Sequence, residues 1–274
     1  MTSPKAFIIG SPVSHSLSPM LHQYWLRQYC IDGSYEAINV PPDYLMKTVK
    51  AMPGKGYIGG NVTIPHKEKV MMLCDDIDQS ALAVGAVNTL KFEGGKIKGY
   101  NTDVHGFTQN LKTGGADFSI IKSALVLGAG GAARAVIIAL MKNNIRVAVT
   151  NRTFDKAEKL AHEFGCEIYN WEEKEEYLGG YQLLINTTSL GMKGQSSLEI
   201  DLNNLGAEAV VNDIVYNPLE TPFLKQARDM GLKTVDGIGM LLYQAVEGFE
   251  MWFGKKPEVT AELREYIISC LRSA

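Results

Sequence analysis

The residues best suited to chemistry lie near the middle of the chain, where Gly128-Ala129-Gly130-Gly131-Ala132-Ala133 follows the apolar run 123–127. A G-x-G-x-x-A pattern between a strand and a helix is a phosphate cradle. Gly128 permits the tight turn, Gly130 lets backbone N–H groups approach a pyrophosphate, and Ala133 lets helix and strand pack closely. The start of the following helix presents unpaired N–H groups and the positive end of its dipole to an anion. After the next strand, an acidic residue would hold the ribose 2′-hydroxyl of NAD. The chain has Asn151-Arg152-Thr153 there instead. A carboxylate repels a 2′-phosphate, whereas a guanidinium offers it a planar fork of donors. The pattern therefore favours NADP.

The N-terminal half carries four polar clusters at loop edges: Ser14 with Ser16, Asn61-Val62-Thr63-Ile64-Pro65-His66-Lys67, Gly85-Ala86-Val87-Asn88-Thr89, and Asn101-Thr102-Asp103. Taken singly, each has an ordinary reading. A hydroxyl pair near a helix start caps it, a lone lysine is solvated, and a lone aspartate shapes a turn.

The elements that must position these residues follow from apolar periodicity and turn signals. Strands are expected over 6–9, 35–40 and 57–63, and over 86–91 and 96–100 around the hairpin signal Glu93-Gly94-Gly95. Ser18 before Pro19 marks a helix start, with the helix running to about Tyr29; further helices are expected over 41–51 and 67–74. The texture changes near residue 103. Apolar strands at 123–127, 183–186 and 209–214, with a strand at 146–150 and a short one at 167–169, alternate with helices at 132–142 and 154–164, and 240–253 is apolar at helical spacing. Such alternation implies an α/β fold with a parallel sheet covered on both faces.

Composition narrows the function. The chain has 274 residues, 46% hydrophobic and 21% charged, with a formal net charge of −3. At roughly 100–200 residues per domain, two domains are expected. The basic surplus that nucleic-acid binding needs is missing. Cys30, Cys74, Cys166 and Cys270 are scattered, with no C-x-x-C pair and no histidine at ligand spacing, so reduced structural thiols and no metal are expected. The apolar stretch 6–9 is too short for a signal-peptide core, and the longest apolar run, 135–141, is far below a membrane span. A cytoplasmic protein with no membrane partner is expected.

The order and wording of the clusters say more than each alone. Ser-x-Ser-Leu-Ser-Pro from Ser14, Asn-Val-Thr-x-Pro-x-Lys from Asn61, Gly-Ala-Val-Asn-Thr from Gly85, Asn-Thr-Asp from Asn101, the glycine-rich turn and Asn151-Arg152-Thr153 resemble the shikimate dehydrogenase family. Asn186-Thr187-Thr188-Ser189, Tyr216-Asn217-Pro218 and Asp236-Gly237-Ile238-Gly239-Met240 through Gln244 extend the resemblance over roughly residues 7–253. It implies reversible reduction of 3-dehydroshikimate to shikimate by NADPH, in aromatic amino-acid biosynthesis. It also implies a substrate-binding catalytic domain over 1–104 plus 240–274, to which the C-terminal helices return, and a Rossmann-type NADP-binding domain over 105–239.

Carried over motif by motif, the resemblance gives Ser14 and Ser16 the substrate carboxylate. Thr63, Asn88, Asp103 and Gln244 would hold hydroxyl groups, with Tyr216 nearby, and Lys67 would be the acid/base. Gly128, Ala129, Gly130, Gly131, Ala132, Asn151, Arg152, Thr153, Lys156, Ile214 and Gly237 would line the cofactor. The chemistry is consistent, because a polyol carboxylate needs many neutral donors and acceptors. Burial pushes a lysine pKa down and a neighbouring aspartate pushes it up, so Lys67 and Asp103 would titrate together. Two positions depart from the pattern: His66 adds a titratable group before Lys67, and Gln79 stands where some relatives carry an acid. The alternatives are a broader quinate/shikimate dehydrogenase, a non-catalytic NADP sensor, for which a proton-transfer pair is superfluous, and a one-carbon folate dehydrogenase, which needs a pterin site. A homodimer is compatible with any of these.

Overall fold

A computed structural model describes residues 3–273. The chain divides after Asp103 and after Met240 into two compact units. The first contains β1 (Lys5–Gly10), α1 (Ser18–Gln28), β2 (Ser34–Asn39), α2 (Leu45–Ala51), β3 (Tyr57–Val62), β4 (Asp76–Ile77), α3 (Gln79–Val84), β5 (Thr89–Glu93) and β6 (Lys96–Tyr100). The helix α4 (Asp103–Thr113) leads out of it. The second contains β7 (Ser123–Leu127), α5 (Gly131–Lys142), β8 (Arg146–Thr150), α6 (Phe154–Phe164), β9 (Glu167–Tyr169), β10 (Leu183–Asn186), β11 (Val210–Asp213), α7 (Pro222–Asp229) and β12 (Lys233–Val235). The helix α8 (Ile238–Phe253) leads back, and α9 (Ala261–Ser273) follows it. Among the described residues, no helix is long and apolar enough to cross a membrane.

The first sheet runs β2-β1-β3-β5-β6-β4. Strand β1 reads as a continuous apolar run because both its faces are covered. Phe7 and Ile9 join Val49, Val62 and Leu90 in one core, while Ala6 and Ile8 join Tyr35 and Trp252 in another. Trp252, on α8, donates its indole N–H to the Leu90 carbonyl at 2.9 Å.

Two local expectations fail here for stated reasons. The helix expected over 67–74 is a short 3-10 segment, Lys69–Leu73. The Lys67 carbonyl, which an α-helix would need, instead accepts the Val87 N–H at 2.9 Å. The strand expected from residue 86 starts at Thr89, because Val87 bonds to that carbonyl and Asn88 bridges β3 and β6 through its backbone. At α1, Ser18 is already helical; Leu17 occupies the cap position, and the Ser16 oxygen accepts the Ser18 N–H at 3.3 Å.

The second sheet is parallel throughout, in the order β12-β11-β10-β7-β8-β9. The chain moves outward from β7 to β8 and β9, then returns to place β10 on the other side of β7. Strand order therefore reverses at β7, and in such sheets ligands bind beyond the carboxyl ends of the strands at the reversal. Helix α5 buries Ala133, Val136, Ile137 and Leu140, the i, i+3, i+4, i+7 stripe of a core-facing helix.

Asp213, at the carboxyl end of β11, is fully buried. Its carboxylate accepts from Asn186 Nδ2 at 3.0 Å, the Val215 N–H at 3.0 Å and the Thr221 hydroxyl at 2.7 Å. Burial outweighs these donors and pushes its pKa up from 3.8 to about 6. A carboxyl that binds its proton more tightly folded than unfolded gives most stability below its unfolded pKa, and that contribution is lost as pH rises through about 6. Asp213→Asn keeps the shape and removes the charge. Relative to the parent, this variant should gain roughly 2–3 kcal/mol between pH 4 and pH 7. Denaturant midpoints of both proteins at the two pH values measure the gain, and a stability difference that does not change with pH contradicts the assignment.

Candidate functional site

Strand directions explain why the scattered polar clusters meet. β1 and β3 are parallel, β5 runs against β3, and β6 runs against β5. The carboxyl ends of β1, β3 and β6 and the start of β5 therefore share one sheet edge. The loop with Ser14 and Ser16 leaves β1 there, Thr63 and Lys67 leave β3, Asn88 enters β5, and Asn101, Thr102 and Asp103 leave β6. Backbone bonds lace this rim: Ser11 N–H to Ile64 O at 3.0 Å and Thr63 N–H to Ile9 O at 2.9 Å.

At its centre Lys67 Nζ lies 2.6 Å from Asp103 Oδ2, with side chains 26% and 11% exposed. The other carboxylate oxygen, Oδ1, accepts from Asn88 Nδ2 at 2.9 Å. Asn101 Oδ1 accepts the Asp103 N–H at 3.0 Å, so the aspartate backbone is fixed as well. Thr102 accepts from Asn88 Nδ2 at 3.0 Å and lies 3.4 Å from Gln244 Oε1, which brings α8 into the cluster. Lys67, Asn88, Asp103 and Gln244 thus form one bonded set. A partly buried ammonium and carboxylate in contact can exchange a proton with a ligand while staying paired to each other.

Ser14 is exposed and Ser16 half-buried beside the α1 N-terminus; Thr63 is half-buried where β3 ends. His66 is drawn away from any such role: its ring is fully buried and its Nε2 lies 2.6 Å from the Val40 carbonyl. Gln79 is exposed in the first turn of α3, behind the capping residue Asp78. Tyr216 belongs to the second unit, in the loop after β11, where burial raises its phenol pKa.

In the second unit, β7 ends in Gly128 with φ +115°, a conformation that L side chains rarely adopt. A Cβ there would also stand 2.6 Å from the Thr187 hydroxyl. The helix α5 begins after Gly130 with no side-chain cap, and Gly130 and Gly131 have open space where side chains would be. Asn151 turns its amide to the Thr153 carbonyl at 2.8 Å, Arg152 and Thr153 are exposed in the turn after β8, and Lys156 is exposed in the first turn of α6. Gly237 packs on the backbone of Ile214, 2.3 Å from where its own Cβ would lie to the Ile214 oxygen. An uncapped helix N-terminus, with one exposed cation after the neighbouring strand and another in the first turn of the next helix, fits a phosphate-rich dinucleotide. Among the described residues, no group of three or more His, Cys, Asp or Glu side chains could hold a metal ion.

The structure adds residues to the first-unit site that the motif reading passed over: Tyr35, Asn61, Thr89, Asn101 and Thr102, all buried. Four of them stand inside the quoted motifs, next to residues already singled out, but only the fold shows that their side chains turn toward Asn88 and Asp103.

Comparison with known proteins identifies the family. Residues 8–90 match the shikimate dehydrogenase substrate binding domain, 116–213 the shikimate / quinate 5-dehydrogenase family, and 237–261 the shikimate 5′-dehydrogenase C-terminal domain. The shikimate dehydrogenase (NADP(+)) of Brucella canis is 48% identical over 276 residues, covering 98% of this chain and 96% of that protein. The crystal structure of shikimate dehydrogenase from Aquifex aeolicus superposes with a TM-score of 0.89 at 40% identity, over 97% of each chain. That of the Thermus thermophilus enzyme in complex with NADP(H) and shikimate superposes with a TM-score of 0.87 at 36% identity, over 98% of each chain. By its sequence, its fold and the bonded set on its sheet edge, this chain belongs to the shikimate dehydrogenase family.

Proposed function

We propose that the chain catalyses the reversible reduction of 3-dehydroshikimate to shikimate with NADPH, in the cytoplasm, as a step of aromatic amino-acid biosynthesis. The observation that carries this reading is the Lys67–Asp103 pair at 2.6 Å, set among neutral amides and hydroxyls. A polyol is bound by such groups, and a ketone reduction needs one proton at the oxygen. The relatives' names and the complex with NADP(H) and shikimate support the same substrate and cofactor.

When bound, the cofactor supplies the hydride. The protein's own work is to hold the ketone and exchange a proton with its oxygen. Lys67 Nζ gives that proton during reduction and takes it back during oxidation, while Asp103 holds the lysine in place at 2.6 Å. Ser14 and Ser16 hold the carboxylate near the start of α1, where the dipole favours an anion. Thr63, Asn88 and Gln244 hold hydroxyl groups, and Tyr216 is a further substrate-binding residue. Gly128, Ala129, Gly130, Gly131 and Ala132 cradle the pyrophosphate against the α5 N-terminus. Asn151, Arg152, Thr153 and Lys156 hold the adenosine 2′-phosphate, and Ile214 and Gly237 line the nicotinamide end.

Lys67→Ala should keep the fold and NADP affinity while kcat falls by about 10²–10⁴, with a smaller change in KM for shikimate. Asp103→Asn should also lower kcat, and the double variant should be little worse than the worse single, because the two act as one unit. A Lys67→Ala protein that melts early but turns over at the parental rate would make the pair purely structural. Arg152→Ala should weaken NADP by roughly ten- to a hundredfold and NAD far less. Equal losses for both cofactors in steady-state kinetics would remove the 2′-phosphate role. Replacing Ser14 and Ser16 together by Ala should raise KM for shikimate and leave the dissociation constant for NADP unchanged; a parallel loss of NADP binding would make the serines structural.

A further inference from the structure

Behind Asn88 the structure holds a chain of side-chain hydrogen bonds that none of the site roles above uses. Tyr35 donates its hydroxyl to Asn61 Oδ1 at 2.6 Å. Asn61 Nδ2 donates to Thr89 Oγ1 at 3.1 Å and to the Asn88 carbonyl at 3.2 Å. Thr89 Oγ1 donates to Asn88 Oδ1 at 2.9 Å, and Asn88 Nδ2 donates to Asp103 Oδ1 at 2.9 Å. Every member is buried, from Thr89 at 0% to Asp103 at 8% exposure. Register makes the chain possible, since Asn61 of β3 and Thr89 of β5 are directly paired residues across the ladder.

Two backbone groups fix the direction of the whole chain. The Thr102 N–H, which can only donate, faces one end of the Asn88 amide at 2.9 Å, so that end is the oxygen and the nitrogen must face Asp103. The Asn88 carbonyl, which can only accept, faces one end of the Asn61 amide, so that end is the nitrogen and Asn61 Oδ1 must accept from Tyr35. Thr89 Oγ1 is then occupied by an Asn61 N–H, and its single proton goes to Asn88. Four donors in a row point toward one carboxylate. Such a run polarises each successive bond and strengthens the last. Lys67 is the charged group bonded to Asp103, while the neighbouring His66 ring is committed to Val40 on the far side.

We propose that Thr89, backed by Asn61 and Tyr35, is a positioning residue for the reaction. Its hydroxyl, with the Thr102 N–H, locks the Asn88 amide so that its N–H group faces Asp103 and holds that carboxylate against Lys67. The proposal rests on the reading of Lys67 and Asp103 as the proton-transfer pair. Amides cannot pass a proton along this chain, so its effect is orientation and polarisation.

The test compares the parent with Thr89→Val, Thr89→Ser and Tyr35→Phe. Thr89→Val keeps the shape and loses the hydroxyl; its kcat with shikimate should fall about three- to tenfold, with KM for NADP unchanged. In protein carrying carbon-13 at the aspartate carboxyls, the Asp103 titration midpoint should move upward by about half a pH unit. Thr89→Ser restores the hydroxyl and should return both values to the parent's. Tyr35→Phe removes the first donor, keeps the ring stacked on His22, and should show the same changes at smaller size. Parental kcat and midpoint in Thr89→Val, or a Ser variant as impaired as the Val variant, would overturn the proposal. If Thr89→Val does not fold, an unmoved Asp103 midpoint in Tyr35→Phe overturns it instead. The titration needs no turnover, so a parent protein inactive on shikimate would defeat the functional reading while the Asp103 midpoint still decides this one.

Discussion

An ammonium and a carboxylate 2.6 Å apart, each partly out of water, are costly to build and more costly to break. Removing either partner would strand the other, so the pair constrains everything around it. The carboxylate's second oxygen needs a donor, which is Asn88, and the Asn88 oxygen needs donors in turn, which are Thr89 and the Thr102 backbone. Asn101 holds the Asp103 N–H and ties its own amide to the Ala86 carbonyl at 3.0 Å. Each satisfied group requires the next, and the requirement ends only in the ladder of the sheet. The sheet edge is thus the consequence of one charge pair's need for partners, and a slip of one residue in β3 or β5 would turn Asn61 or Thr89 to the opposite face.

The chain contains a useful contrast in its other buried carboxylate. Asp213 accepts three hydrogen bonds at a strand end, none of them from a cation, and burial raises its pKa to about 6. It joins the Asn186 turn to the loop that carries Ile214 and Tyr216, so its work is to hold backbone in place. The Asp103 carboxylate accepts from an amide and from a lysine, whose charge balances its own. Similar depth gives a strut in one case and an ion pair in the other, and the difference is a single ammonium.

Much of this fold was legible in the chain, and the failures have physical causes. The strands at 123–127, 146–150 and 183–186 coincide with β7, β8 and β10 because each is a largely apolar run stopped by turn residues in a sheet covered on both faces. Helix α7 was passed over although Thr221 caps it and Pro222 opens it, because its eight residues bury only Phe223, Leu224 and Ala227. The 67–74 segment misled because its pattern suits a helix, while a partner 20 positions later in sequence, Val87, takes the carbonyl that the helix would need. Site residues inside quoted motifs, such as Asn61 and Thr89, could be suspected from their neighbours. Tyr35 could not, since only strand pairing brings β2 near β3. Sequence spacing reports what is local, whereas Lys67 meets Asp103 across 36 positions.

The neutral character of the site also bears on how selective it can be. A site built to hydrogen-bond each hydroxyl leaves its own polar groups unpaired when a hydroxyl is missing, and such analogues are refused by large factors. An added hydroxyl is penalised only if it meets apolar wall or finds no room. Quinate differs from shikimate in the second sense: it carries one more hydroxyl on a saturated ring, next to the carboxylate. In the substrate pose proposed above, Asn88, Asp103 and Gln244 hold hydroxyls that both acids share, so these groups distinguish the two acids weakly. On that same proposal, discrimination arises at the carboxylate end, where Ser14 is exposed and Ser16 already accepts the Ser18 N–H. The Ser16 hydroxyl keeps its proton free to donate to a carboxylate while its oxygen is tied to α1. The narrowness of the proposed substrate choice then depends on how firmly the first turn of that helix holds Ser16.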